Sequence, residues 1–186
     1  MSSEKNLTRR CFVKKSLQVA AGIILSETLL APLESIAAVR KKQPMSFYHT
    51  HTGERLQINY SCQGCSAETL TNLNNFLRDF RTGEIHAIDP DLLDILYGIQ
   101  QQSGSQGVIE IISGYRSPKT NQLLRSRSSG VARNSLHMKG QAVDIRIRDL
   151  KTSDLRDVAL NLRKGGVGYY GKADFVHIDT GRYRYW

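Results

Sequence analysis

The sequence predicts a protein of the α+β class, with a small antiparallel sheet packed against helices from the earlier part of the chain. Beyond residue 66, leucines recur at the three- and four-residue spacing of helices. In the second half, short runs such as QAVDIRI and DFVHID alternate in polarity, as strands do. Helices first and strands afterwards is an order typical of α+β proteins.

The predicted domain begins with a hairpin and a helix. Residues 47–51 and 56–60 are alternating runs on either side of TGE, which favours a turn. A helix then starts after Ser66, a good N-cap residue, and Gly83 ends it. Its apolar face consists of Leu70, Leu73, Leu77 and Phe80.

A second helix begins at Asp89 and Pro90, because proline is favoured in the first turn. The run GVIEIISG is a strand that Gly114 ends, and a turn at GYRS leads into a third helix. Residues 126–130 form a polar, basic loop. The second helix has an inner face of Leu92, Leu93, Leu96 and Ile99.

The carboxyl-terminal part is predicted to be largely β. QAVDIRI is the second central strand, and a fourth helix follows over residues 152–164. Gly165 and Gly166 end that helix. VGYY and DFVHID complete the sheet as two strands around a turn at Gly171.

The amino terminus has the features of an export signal. Arg9 and Arg10 precede a moderately apolar segment, residues 17–33, and a small-residue cleavage site near Ala37 or Ala38. This resembles a bacterial twin-arginine signal. An uncleaved amphipathic helix or membrane anchor is the alternative, but a glutamate and a proline interrupt the apolar segment.

We therefore predict an export signal over 1–38, a basic linker over 39–46 and one domain over 47–186. Passage through the twin-arginine translocase would place the mature protein in the periplasm of a Gram-negative bacterium. The net charge of +9 suits an anionic polymer such as nucleic acid, membrane or cell wall. Export argues against nucleic acid, and the sequence has no basic block with interleaved aromatics.

Two of the three cysteines, Cys62 and Cys65, form a single C-x-x-C motif. In an exported protein this spacing predicts a local disulfide or a free pair. A zinc knuckle would need a second C-x-x-C, and a catalytic redox role is the remaining alternative. Cys11 lies within the predicted signal.

Alternation places polar side chains on the faces of two strands that lie opposite the core. In AVDIRI the β-branched residues share one face, so Asp144 lies on the other. In DFVHID, His177 and Asp179 likewise face away from the apolar residues. If the two strands pair, Asp144 and His177 become neighbours, and His137 could fold over the same point.

Two histidines and a carboxylate are a suitable ligand set for catalytic zinc. They leave the fourth tetrahedral position open to water, whose pKa the ion lowers to about 7. The spacing alone also allows a surface or capping role for each histidine.

Three ordered motifs resemble those of the M15-type zinc peptidases of peptidoglycan: SGYRSPKTN, NSLHMKGQAVDI, and GGVGYY with DFVHIDTG. HTGE and FLRDFRTGEIHAIDPDLLD extend the likeness over essentially the whole predicted mature chain. Within the family, the chain is most similar to the murein endopeptidases exported by the twin-arginine route. The resemblance implies the M15 fold, with a zinc site on the sheet and a peptidase domain over 47–186.

The resemblance also implies roles for individual residues. The family pattern H-x6-D with a late histidine implies that His137, Asp144 and His177 bind Zn²⁺. The family's acidic residue three positions before the last ligand falls on Asp174, which implies a general base. Positions three apart in a strand face opposite sides, so Asp174 is expected in the turn. Asp179 is either the alternative base or a hydrogen-bond partner that orients His177.

Arg116 matches the arginine that such peptidases place near the scissile carbonyl, where it would stabilise an oxyanion. The alternative is that Arg116 is a turn residue that pairs with a nearby carboxylate. Ser135 matches a serine that contacts substrate or supports a ligand, and Tyr115 could line the cleft or only pack. Three other histidines match no ligand position and are expected at the surface: His49, His51 and His86.

The implied activity is hydrolysis of peptide crosslinks in peptidoglycan. The resemblance favours bonds between two meso-diaminopimelate residues (3→3) and, from the wider family, D-Ala–meso-diaminopimelate bonds (4→3). A carboxypeptidase or dipeptidase that trims stem peptides and a non-catalytic wall-binding module are the alternatives. No feature of the sequence indicates an oligomeric state. The free carboxylates of diaminopimelate could bind to four basic residues: Arg125, Arg127, Arg182 and Arg184. The alternative is that these residues carry only solvated surface charge.

Overall fold

The computed structural model describes residues 44–60 and 66–186, and these ranges form four α-helices and one seven-stranded sheet. The helices are α1 (Ala67–Phe76), α2 (Pro90–Ser103), α3 (Pro118–Arg127) and α4 (Thr152–Asn161). The strands are β1 (Met45–His49), β2 (Arg55–Ile58), β3 (Ile109–Ser113), β4 (Ala142–Ile147), β5 (Gly166–Tyr170), β6 (Phe175–Asp179) and β7 (Arg184–Tyr185).

The α+β class is confirmed, and the sheet is larger than expected. Its strand order is β2-β1-β3-β4-β6-β5-β7. The four antiparallel pairs include β3–β4, β4–β6 and β6–β5, whereas β1–β3 and β5–β7 are parallel. Parallel neighbours need a crossover connection. Between β1 and β3 this connection contains α1 and α2, so the first strands precede the helices.

The first helix is shorter than predicted. Ser66 is its N-cap, as expected, and accepts a hydrogen bond from the backbone N–H of Thr69. The helix ends at Phe76 rather than near Gly83, because the carbonyl of Leu77 accepts the backbone N–H of Tyr115 over 2.8 Å. A tertiary contact thus diverts the chain where the leucine spacing alone would continue the helix.

The other helices lie close to their predicted positions. Asp89 caps α2 by accepting the backbone N–H of Asp91, and Gly104 ends it with a positive φ of 67°. α3 includes Ser126, which was expected in the following loop. α4 ends at Asn161, three residues before the predicted end.

One face of the sheet is covered by helices and the other carries the polar residues. α4 packs against β4, β5, β6 and α2. The core includes Val143 and Ile145 of β4 and Val176 and Ile178 of β6, which are fully buried. Their neighbours in each strand therefore face away from α4 and towards the site. No helix in the described part of the chain is both long and apolar enough to span a bilayer.

His49 is buried, so its predicted surface position is wrong. Its ring packs edge-on against Phe76 and Phe80, with centroids 5.9 and 5.6 Å away. Nδ1 accepts the backbone N–H groups of His51 and Thr52, which leaves the buried Nε2–H without a partner among the described residues. Burial, reinforced by His51, lowers the pKa of His49 to about 4, so it is neutral at pH 7.

The predicted signal and the pair Cys62 and Cys65 lie outside the described residues. β1 begins at Met45, so the last two residues of the predicted linker belong to the sheet.

Candidate metal centre

The pairing of β4 with β6 brings the first two candidate ligands together. Asp144 and His177 are direct partners in this antiparallel register, as alternation suggested. The Oδ1 atom of Asp144 lies 2.9 Å from Nδ1 of His177. Both residues are nearly buried, and the apolar residues that flank Asp144 in β4 fix its strand against the core.

His137 reaches the same point from a short 3-10 helix, Leu136–Lys139, directly before β4. Gly140 ends this helix with a φ of 64°, a conformation that glycine adopts without strain. The Nε2 atom of His137 lies 3.2 Å from Asp144 Oδ1 and 3.2 Å from His177 Nδ1. The three ligand atoms all lie within 4.8 Å of one another.

In each ring, the nitrogen that points away from the cluster (the outer nitrogen) shows whether the nitrogen that points into it (the inner nitrogen) donates or accepts. Nδ1 of His137 donates to the carbonyl of Gly114 over 2.7 Å, because a carbonyl can only accept. Nε2 of His177 donates to the carboxylate of Asp179 over 3.0 Å. In the neutral rings the inner nitrogens are therefore acceptors, and they converge with an acceptor oxygen of Asp144.

Three convergent acceptors favour a cation between them. Two neutral imidazoles and one carboxylate match the donor set of tetrahedral zinc sites with an open fourth position. Histidine ligands typically donate their outer N–H to a carboxylate or backbone carbonyl, as both rings do here. The residues present thus fit a zinc ion of the kind that the sequence predicted.

The electrostatics keep the carboxylates ionised. Burial alone would raise the pKa of Asp144, but His137, His177 and Arg116 together hold it well below its usual range. Burial, together with the charge of Arg116, lowers the pKa of His137. His177 has a raised pKa because its hydrogen bonds to Asp144 and Asp179 outweigh the opposing effect of burial.

Arg116 lines the same cleft and pairs with the second oxygen of Asp144. Its Nε donates to Ser113 Oγ over 2.8 Å, which fixes the guanidinium at the end of β3. The pairing that the sequence suggested as the alternative role is therefore present. The guanidinium also lies at the cleft wall, where a substrate carbonyl could reach it.

Asp179 contacts the candidate ligand His177 on the side of the ring that points away from the cluster. It is fully buried, and its oxygens accept from His177, from Arg184 and from the backbone N–H groups of Gly166 and Gly181. Burial opposes ionisation, but these hydrogen bonds hold the pKa of Asp179 far below its usual range. The hydrogen bond between Asp179 and His177 is the contact that the predicted orienting role requires.

The cleft around the ligands has a volume of about 600 Å³. Ser135 lines it, and the serine hydroxyl makes no capping hydrogen bond to the 3-10 helix that it precedes. The lining also includes Gly130 and Val131 from the segment after α3, and three aromatic residues: Tyr170, Phe175 and Trp186.

The structure does not bring Asp174 into this cleft. Asp174 lies in the turn before β6, as expected, with a φ of 55°. Its carboxylate accepts from Thr152 and contacts Arg146 at 3.5 Å, in a separate cavity beside Glu110. In this arrangement the predicted general base is directed away from the ligands.

Tyr115 is also outside the cleft lining. It is buried and stacks on half-buried His86, with ring centroids 4.8 Å apart. His51 is exposed, as predicted, and stacks on Phe80. Arg184, expected to contact substrate, instead pairs with Asp179, and its guanidinium borders the cleft.

Sequence reasoning missed the contribution of residues 184–186. The sequence pattern gives no role to Trp186, and it indicates only a helix end at Gly166 and part of a strand at Gly168. Alternate glycines in GVGYY were the available signal, because a strand without side chains on one face leaves room for another element.

The comparison with known proteins identifies the family of the chain. The family model Peptidase_M15_2, described as "Peptidoglycan L,D-endopeptidase MepK", matches residues 37–186. The chain is 42% identical over 176 residues to the protein of that name from Escherichia coli strain K12, covering 93% of this chain and 96% of the relative. It is 41% identical over 169 residues to the "Probable peptidoglycan L,D-endopeptidase MepK" of Haemophilus influenzae, covering 89% and 90%. The chain therefore belongs to the M15-type peptidases, in the family Peptidase_M15_2.

Proposed function

We propose that this protein is a zinc-dependent endopeptidase that hydrolyses peptide crosslinks of peptidoglycan. The observation that carries the proposal is the convergence of His137 Nε2, His177 Nδ1 and Asp144 Oδ1 within one cleft. The names of the relatives, peptidoglycan L,D-endopeptidases, support the choice of substrate.

Within this proposal, His137, His177 and Asp144 hold the ion. A bound Zn²⁺ would act as a Lewis acid on the scissile carbonyl and supply hydroxide near neutral pH. Gly114 and Asp179 keep the two rings in the tautomers that the ion requires.

Arg116 has two tasks in this site. It holds the second oxygen of Asp144, and its position on the cleft wall suits stabilisation of the negative charge that develops on a substrate carbonyl. Ser135 is a candidate to contact the substrate, since its hydroxyl lies in the same cleft. We assign no step to Asp174, because its carboxylate contacts Thr152 and Arg146 elsewhere.

The preferred crosslink in this proposal joins two meso-diaminopimelate residues (3→3), with D-Ala–meso-diaminopimelate (4→3) as a second substrate. The term L,D-endopeptidase in the names of the relatives supports the first, because the bond between the two diaminopimelate residues joins an L to a D centre.

We also propose that the protein acts in the periplasm after export by the twin-arginine translocase. The paired Arg9 and Arg10 support this route. The family model matches from residue 37, at the predicted cleavage site.

Digestion of defined muropeptides tests the proposal. The zinc-loaded protein should convert 3→3 crosslinked dimers into two monomers of the expected mass, as measured by mass spectrometry. His137→Ala should lose both the bound zinc and the cleavage. His51→Ala, which removes an exposed histidine outside the site, should keep both. Release of terminal D-Ala alone, without cleavage of any crosslink, would identify a carboxypeptidase instead.

A further inference from the structure

Residues 184–186 extend along the edge of the sheet and reach the cleft. β7 runs parallel to β5, with Arg184 opposite Gly166 and Tyr185 opposite Val167. The backbone of Trp186 continues this pairing through its N–H to the carbonyl of Val167 over 3.2 Å. Its carbonyl in turn accepts the N–H of Tyr169 over 3.0 Å. The backbone of Trp186 is therefore fixed to β5 through both its N–H and its carbonyl group.

Alternation directs Arg184 and Trp186 to the cleft side of the sheet. On that side β5 has two glycines, Gly166 and Gly168, next to these side chains. A Cβ atom at Gly168 would lie 2.6 Å from Cε2 of Trp186, and one at Gly166 would lie 2.6 Å from Nη1 of Arg184. Both distances are shorter than real Cβ atoms show, so a side chain at either glycine would displace Trp186 or Arg184 from its present position.

Trp186 lies directly beside a metal ligand. Its ring centroid is 5.3 Å from that of His177, and its Nε1 donates to the hydroxyl of Tyr170 over 3.0 Å. Tyr170 stacks on Phe175 at 4.6 Å. These three aromatic residues line one side of the cleft, and we call them the aromatic wall: Tyr170, Phe175 and Trp186.

The aromatic wall is held in place but not covered. Trp186 remains 50% exposed although its indole nitrogen, its backbone and the Arg184 guanidinium fix it. The cleft lining also includes small residues, Gly130, Val131 and Ala132. A rigid apolar surface in a cleft that small side chains also line suits an extended peptide with an aliphatic side chain.

We infer that the aromatic wall, and Trp186 in particular, binds the substrate residue next to the scissile bond and determines which crosslinks are accepted. The inference rests on the proposed function, since it takes the ligand cluster as the place of cleavage. The part of a crosslink that fits this wall is the aliphatic chain of a diamino acid, whose charged ends would lie beyond the indole.

The single tryptophan of the chain makes the inference directly measurable, because intrinsic tryptophan emission reports Trp186 alone. The zinc-loaded protein is mixed in a stopped-flow instrument with crosslinked stem peptides from which the glycan has been removed. Emission should change with saturable amplitude before cleavage products form. The same peptides carrying the disaccharide should give the same change, because the wall contacts the peptide.

Steady-state kinetics of substituted proteins provide the second measurement. Trp186→Ala should raise KM about tenfold and change kcat less than about threefold, since an aromatic contact to the substrate is lost. Trp186→Phe should lie between this variant and the unsubstituted protein. Tyr185→Ala is the matched control, because this neighbour is 71% exposed and faces the other side of the sheet.

The outcomes are distinguishable. An unchanged KM in Trp186→Ala with normal zinc content would overturn the inference, as would an emission change that requires the disaccharide. If Trp186→Ala fails to fold, Trp186→Phe and the emission of the unsubstituted protein decide. If emission responds to the peptides but no crosslink is cleaved, the proposed function fails while the binding surface stands. If neither a change in emission nor cleavage is observed, both the inference and the proposed function are wrong.

Discussion

The Nε2 atom of His177 donates a hydrogen bond to Oδ2 of Asp179 over 3.0 Å, and this bond directs Nδ1 of the same ring at Asp144 and His137. A buried carboxylate two residues along the same strand thus sets which nitrogen of His177 is available to a metal.

Asp179→Asn should lower the affinity for zinc about tenfold to a hundredfold. The amide can donate as well as accept, so it no longer requires the proton on Nε2 of His177. Competition with a chromophoric chelator measures the affinity. Asp157→Asn, which neutralises an exposed carboxylate on α4, should leave the affinity unchanged. An unchanged affinity in Asp179→Asn would show that His177 does not depend on this bond.

Arg184→Gln should weaken zinc binding about tenfold. The guanidinium donates to both oxygens of Asp179, over 3.0 and 2.6 Å, and so holds the carboxylate that orients His177. The same chelator competition applies, with Arg182→Gln as the control because Arg182 is exposed. If both substitutions had equal effects, a general loss of positive charge would be the cause.

Asp174→Asn should keep cleavage within about threefold of the unsubstituted protein, because a group outside the reacting site contributes little to the transition state. Its carboxylate contacts Thr152 and Arg146 outside the cleft. Initial rates on crosslinked dimers measure this. A loss of a hundredfold or more with normal zinc content would restore the general-base role inferred from the family motif and would require Asp174 to move into the cleft.

The free energy of unfolding should fall by about 3 kcal/mol as the pH is lowered from 6.5 to 4, through His49 alone. The unfolded chain binds this proton near pH 6.5, whereas the buried ring in the folded chain binds it only near pH 4. Protons therefore favour the unfolded state across this interval, and stability is lost as the pH falls through it.

Urea unfolding of the zinc-loaded protein at a series of pH values measures this dependence. His49→Asn, whose side-chain oxygen can still accept the N–H groups of His51 and Thr52, should reduce the pH dependence by about this amount. His86→Asn controls for the loss of a histidine elsewhere and should keep it. An unchanged slope in His49→Asn would mean that other groups bind the protons.

The shared face of Asp144 and His177 could be predicted because strand alternation is a local property. The apolar residues around Asp144 and His177 direct both side chains to one face, and the family motif adds His137. Alternation did not establish that β4 pairs with β6. That register depends on the whole sheet, and the resemblance to the family supplied it.

The remaining differences arise from tertiary contacts that no local pattern encodes. The carbonyl of Leu77 binds Tyr115 and ends α1 early. His49 is buried because two phenylalanines from a distant segment surround it. β7 is two residues long and too short for a periodic signal, so only the alternate glycines of β5 indicate that another element lies beside them.

Removal and return of the metal test the central claim most directly. The purified protein should contain about one zinc ion per chain, and dialysis against a chelator should abolish cleavage of crosslinked dimers. Addition of one equivalent of Zn²⁺ should restore it, and His137→Ala should not respond. Full cleavage by protein that contains less than about a tenth of an equivalent of metal would contradict the account, because the three convergent ligands would then have no part in the reaction.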